Sequence, residues 1–234
     1  MSSTATERHP AAHARSILSC PASIELTVDG VAHPLEDDAR LGLQDKNGVP
    51  TLLCLPGGLL ADAARSSRNV LLTLRSGLRD ATGWDTLALA GSLRSTGHEA
   101  CECCDDVRER VVVDVTFVLL LRTHDGETVD RHRVPLAEFR SGAYELNAGY
   151  LQRSAEHAAV CHQDELRRAV AARTGARPAS IIGAQLTSLA PEGVRLEWVD
   201  GDGAHSATLV FPRPARTADE LGELLRVELH PGLC

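Results

Sequence analysis
The chain has 234 residues, 43% of them hydrophobic and 24% charged, a globular balance that speaks against disorder or a fibrous repeat and allows one large or two small domains. A formal net charge of −8 argues against a surface built to coat nucleic-acid phosphates, and three Phe, two Tyr and two Trp are too few for base-stacking platforms. The longest apolar run, Phe117 to Leu121, is far short of the roughly 20 residues a membrane span needs, so neither a nucleic acid nor a membrane is an expected partner.

Residues 1–16 carry Glu7, Arg8, His9 and His13 and no apolar stretch of the secretory kind. Seven Cys is an odd number, and the crowding of Cys101, Cys103 and Cys104 fits a reducing interior better than a disulfide framework. A cytoplasmic protein is expected.

After a polar tail over residues 1–9, Ala11 to Ser19 reads as a short helix ending before Pro21. Ile24 to Val28 alternates into a turn at Asp29-Gly30. Thr51 to Leu55 is a second strand closed by Pro56-Gly57-Gly58, and Leu59 to Ser66 is a small helix. Val70 to Leu74, Thr86 to Leu93, Arg110 to Arg122 and Glu127 to Val134 follow as β-rich runs separated by turns. About six strands with one small helix predict an antiparallel split β-barrel over 1–147 rather than a parallel sheet.

Composition changes near residue 147. Leu151, Ala155, Ala158, His162, Leu166, Ala169 and Arg173 recur at steps of three and four, which predicts one long helix with Gly175 at its C-cap. Ile181 to Leu189, Val194 to Val199 and Ala204 to Phe211 read as strands, the last two a hairpin through Asp200 to Gly203. Thr217-Ala218-Asp219-Glu220 is a capping box opening a last helix. Residues 148–234 are thus a smaller α-β-β-β-α domain, and the whole chain is of the α+β class.

The segment His157-Ala-Ala-Val-Cys161-His162-Gln-Asp164-Glu-Leu166 resembles the opening helix of a C-terminal module catalogued as domain of unknown function 2470, typically His-Leu-Asn-x-Asp-His-Ala-Asp-Ala-Leu. His157, His162, Asp164 and Leu166 match it directly, while Ala159 and Cys161 stand where the family has Asn and Asp. The likeness continues through Leu186 to Leu189, the hairpin, the exit Val210-Phe-Pro-Arg213-Pro214 and the capped helix. That module usually follows a flavin-binding split barrel similar to pyridoxamine-phosphate oxidase. Arg65-Ser66-Ser67-Arg68-Asn69 before Val70 resembles that barrel's polar turn. The resemblance implies HugZ-like haem-utilisation proteins or a glutamyl-tRNA-reductase-binding protein. Haem or another tetrapyrrole is then the expected ligand, FMN a possible cofactor, and a homodimer or a tetrapyrrole-synthesis enzyme the expected partner.

Haem iron takes a neutral imidazole or a thiolate on an apolar surface. His162, on the apolar stripe of the long helix, is one candidate, and its bland reading is a core histidine. An unbroken helix turns His157 about 140° away from His162, so the two are not expected to share a face. Alternation puts His205 on the face of Ala207, Leu209 and Phe211, and a two-residue Gly201-Asp202 turn would set Trp198 directly across from it. That pair makes either a stacking wall for a flat ligand or an ordinary hairpin end. His230 is a further candidate ligand near the end of the chain. Arg213 could pair with a propionate, and Arg68, with Arg65, Ser66 and Ser67, could bind a flavin phosphate. His98 with Cys101, Cys103 and Cys104 supplies four soft or borderline ligands for zinc or an iron–sulfur cluster, though their spacing fits no zinc ribbon. His157 and Cys161, one helical turn apart, are a two-ligand pair. The chain holds no nucleophile elbow, and Pro56-Gly57-Gly58 lacks the length and lysine of a phosphate loop, so hydrolase and kinase readings fall away.

Overall fold
In the computed structural model, described for residues 9–33, 42–79, 85–100, 107–124 and 128–229, the chain divides into two compact units, Met1–Gly149 and Tyr150–Cys234. The first unit opens with α1 (Pro10–Ser19), where Pro10 occupies a first-turn position whose missing N–H costs nothing. Ala11, Ala14, Ile17 and Leu18 are fully buried, so this helix is part of the core rather than a surface appendage.

β1 (Pro21–Val28) and β2 (Val31–His33) form a hairpin through Asp29 and Gly30, both at positive φ, as a tight turn of the type I′ kind needs. β3 (Gly42–Lys46) and β4 (Val49–Cys54) form a second through Asn47 and Gly48, at φ 55° and 77°. Then come α2 (Leu59–Arg65), β5 (Asn69–Ser76), β6 (Thr86–Ala100), β7 (Val107–His124), β8 (Thr128–Arg133) and the single turn α3 (Leu136–Phe139). The strands make one antiparallel sheet in the order β2-β1-β5-β6-β7-β4-β3. β6 runs along one edge of β7, whereas the other edge is shared, with β4 pairing residues 109–112 and β8 pairing residues 119–124. That sharing splits the barrel. The sheet is not closed, and its end strands β2 and β3 do not pair among the described residues.

Alternation sends Leu72, Leu74, Leu87, Leu89, Val118 and Leu120 inward, where they pack with α1 and with Leu60, Ala61 and Ala64 of α2. Each such leucine contributes about 1.5–3 kcal/mol by leaving water. A polar knot lies inside this core. Arg15 and Asp45 are 1% and 4% exposed and meet at 2.7 Å. Arg15 also donates to the Phe139 and Ser141 carbonyls, and Asp45 accepts from the Ser19 hydroxyl and the Gly48 amide. Helix α1, the β3–β4 hairpin and the segment after β8 are therefore tied at one point.

The antiparallel split-barrel arrangement expected from the sequence is present, with eight strands rather than about six, because β2 and β3 escape a reading by hydrophobic alternation.

α4 (Ala148–Cys161), whose first two residues belong to the first unit, and α5 (Gln163–Thr174) replace the single helix expected over this stretch. The chain leaves helical geometry at His162, whose φ of −122° and ψ of 33° make it the N-cap of α5. Gly175, at φ 74°, closes α5 as expected. β9 (Gly183–Ala190), β10 (Gly193–Asp200) and β11 (Gly203–Val210) form an antiparallel sheet in the order β11-β10-β9, and α6 (Ala218–Leu229) completes the α-β-β-β-α order. Ala184, Leu186, Val194, Leu196 and Leu209 are buried, as are Leu166, Ala169 and Val170 of α5 and Leu221 and Leu224 of α6. Among the described residues no helix is long and apolar enough to cross a membrane.

Candidate functional site
The β10–β11 hairpin builds the most distinctive site. Asp200 pairs with Gly203, leaving Gly201 and Asp202 as the two-residue turn, and this register sets Trp198 opposite His205. The two rings stack 5.4 Å apart at 20°. On its other side Trp198 faces Ala184 of β9. The expected Trp198–His205 pairing is thus present, including the turn that fixes it.

The His205 imidazole, 36% exposed, bonds through Nε2 to Asp200 Oδ1 at 2.9 Å. Asp200 also accepts from the Asp202 amide at 2.9 Å. The bond with His205, followed by the backbone amide, holds its carboxyl below the ordinary carboxylate range. The carboxylate fixes the orientation of the imidazole at the end of the hairpin.

Above the pair, Gln163 at the start of α5 donates to the Ala159 carbonyl at 2.6 Å and the Ala184 carbonyl at 2.7 Å, and accepts from the Ala184 amide. It fastens the break between the helices to the edge strand. The resulting cleft of about 790 Å³ is lined by Ala159, Gln163, Ala184, Trp198 and His205, with Arg195 among its charged residues. Its size falls within the roughly 300–1,000 Å³ of small-molecule and cofactor sites. Arg195 binds the Ser206 hydroxyl at 2.9 Å and Glu197 at 3.1 Å.

The other candidates lie elsewhere. His162 is not on a buried stripe: its side chain is 49% exposed, 3.8 Å from Glu165, and its ring meets that of His157 edge to face at 5.2 Å. The expectation that these two histidines point apart is corrected by the break between α4 and α5, since the angle of 140° holds only in an unbroken helix. Arg213 bonds Glu220 at 2.9 Å beside the start of α6 and does not line the cleft. In the first unit Arg68 is 3.5 Å from Asp29, while Arg65 pairs with Asp62 and with the buried Glu109. Ser66 caps the end of α2 and Ser67 sits at φ 50°. The basic cluster is thus already matched by carboxylates. Cys101, Cys103, Cys104 and His230 lie outside the described residues. Among the described residues no group of three or more His, Cys, Asp or Glu side chains is placed to hold a metal ion.

Two contributors escaped the sequence reading. Asp200 is signalled by its place just before a two-residue turn opposite an inward His. Gln163 carries no signal, because its role depends on the helix break beside it.

No family model matches the chain, and no curated protein matches it. Solved structures of similar fold include a haem-binding protein from Mycobacterium smegmatis, 13% identical over 95% of this chain and 96% of that one, with a TM-score of 0.40. Another is a protein of unknown function from Agrobacterium tumefaciens, 16% identical over 96% of this chain and 97% of that one, with a TM-score of 0.39. Likeness at this level speaks to neither ligand nor activity.

Proposed function
We propose that the protein binds haem or a closely related flat tetrapyrrole in the cleft of its second unit. The observation that carries this reading is the stacked Trp198–His205 pair, an indole face and a carboxylate-braced imidazole side by side in a cleft of cofactor size. The donor set suits the group: a half-exposed imidazole for iron and an aromatic face for the macrocycle, with Arg195, already shared with Glu197, beside them. The sequence resemblance to haem-utilisation proteins supports the same reading. His205 would be the residue to hold the iron, and Asp200, bonded to its Nε2, would compete for that nitrogen.

When bound, haem would supply redox and oxygen chemistry, while this chain binds, orients and shields it. An FMN site at Arg65 and Arg68 has less support, since Asp29, Asp62 and Glu109 already neutralise those arginines. A homodimer and a tetrapyrrole-synthesis enzyme as partner remain part of the proposal, resting on the resemblance alone.

Titration of the purified protein with haem, followed at the Soret band, tests the reading. A saturable site is expected, weakened and spectrally shifted in His205→Ala and weakened without a change of axial ligand in Trp198→Leu. Saturable binding with the same spectrum and affinity in both variants would place the site elsewhere, and no saturable binding at all would remove the haem reading.

A further inference from the structure
We propose that His157 and His162 form a two-imidazole site for a divalent first-row transition ion of the zinc, cobalt or nickel kind, distinct from the cleft, which neither ring lines.

The argument begins with the helix break. No proline or glycine lies between Val160 and Asp164 to cause it, yet the chain leaves the helix at His162 for one residue. His162 occupies an N-cap, where Ser, Thr, Asp or Asn would satisfy an orphan amide, and its side chain makes no capping bond. A residue poorly suited to the local structure is held there, and the imidazole is turned to its neighbour instead. Local misfit of this kind is characteristic of functional positions.

The separation suits a shared ion. With metal–nitrogen lengths of about 2.0–2.1 Å, two imidazoles on one tetrahedral centre have ring centroids about 5 Å apart. The rings here are 5.2 Å apart. The rings meet edge to face, at 73°, and the Cβ–Cγ torsions that orient their nitrogens are broad rather than staggered.

The negative C-terminal end of α4 and the positive N-terminal end of α5 meet at His162 and offset one another, so the charge that a cation meets here comes from carboxylates. α5 begins with Asp164 and Glu165, the latter 3.8 Å from His162. Both imidazoles are exposed, which leaves the remaining coordination positions to water. Imidazole favours first-row transition ions such as zinc and nickel over magnesium or calcium.

The test is Co(II) titration of the full-length protein under reducing conditions, followed by visible absorption and by equilibrium dialysis. One Co(II) per chain is expected at this site, with no thiolate charge-transfer band. His157→Ala and His162→Ala should each weaken it at least about tenfold, since even outer-shell changes cost about 10–100-fold in metal affinity. His162→Ser separates ligation from structure: serine caps a helix well, so the melting temperature should hold or rise while Co(II) binding falls. A Cys101→Ser/Cys103→Ser/Cys104→Ser variant should keep this binding event. Binding unchanged in both histidine variants, or lost in the triple cysteine variant alone, would overturn the proposal, as would the absence of stoichiometric uptake.

Discussion
Replacing Arg15 by Met tests whether the polar knot in the first unit holds its parts together. Arg15 and Asp45 are almost wholly out of water, and removing the guanidinium leaves the Asp45 carboxylate with only the Ser19 hydroxyl and the Gly48 amide. Breaking a buried pair by removing one partner costs about 3–5 kcal/mol, chiefly because the remaining charge is uncompensated. At about 2–4 °C per kcal/mol for a chain of this size, the melting temperature should fall by roughly 6–20 °C. Arg15→Met with Asp45→Asn removes the stranded charge while keeping an acceptor for Ser19 and Gly48. The double variant should therefore be more stable than the single one. Calorimetry gives the melting temperatures, and amide exchange in the β3–β4 hairpin assigns the loss to this unit. A single variant within about 1 kcal/mol of the parent, or a double variant whose loss equals the sum of the two singles, would refute the reasoning.

Gly149→Ala should destabilise the first unit, because a Cβ there overlaps the Ser16 carbonyl of α1, and neither backbone can yield cheaply. A loss of at least about 1–3 kcal/mol is expected in urea denaturation. At the hairpin, Asp200 has its folded-state pKa lowered by His205 and the Asp202 amide. A lowered carboxyl pKa gives stability that is complete above its unfolded value, about 3.9, and is lost as pH falls below that toward the folded value. The protection factors of the Asp202 and Gly203 amides, taken against their intrinsic exchange rates, should therefore fall in that acid window, and Asp200→Asn should abolish the step. An acid step that survives the substitution would assign it to another group.

What could be read from the sequence follows from what alternation and turn chemistry encode. The Trp198–His205 pair was legible because a two-residue turn fixes register, and register fixes which side chains meet. The β3–β4 hairpin was missed although Asn47-Gly48 is a strong turn signal. On β3 the inward positions are Leu43 and Asp45, and an inward carboxylate breaks the alternation by which a strand is recognised. Its partner Arg15 lies on α1, a helix that was read from the sequence, but the burial of the Arg15 side chain was not, because an arginine ordinarily marks a surface position. A buried ion pair appears in sequence as two surface residues.

The misplacement of His162 has a different origin. Steps of three and four run through 151 to 173 without interruption, and such a count registers which residues are apolar, not whether the backbone between them stays helical. Ala155 before the break and Leu166, Ala169 and Val170 after it are buried as the pattern requires. His162 leaves the stripe because an N-cap residue lies outside the helix whose face it was assigned to, whereas Arg173 is exposed at the far end of α5. The same displacement that removes it from the core brings it to His157. Periodicity was therefore right about the packing on both sides of residue 162. It failed at the one position where the backbone departs from the helix, and there the side chain is left exposed beside a second imidazole.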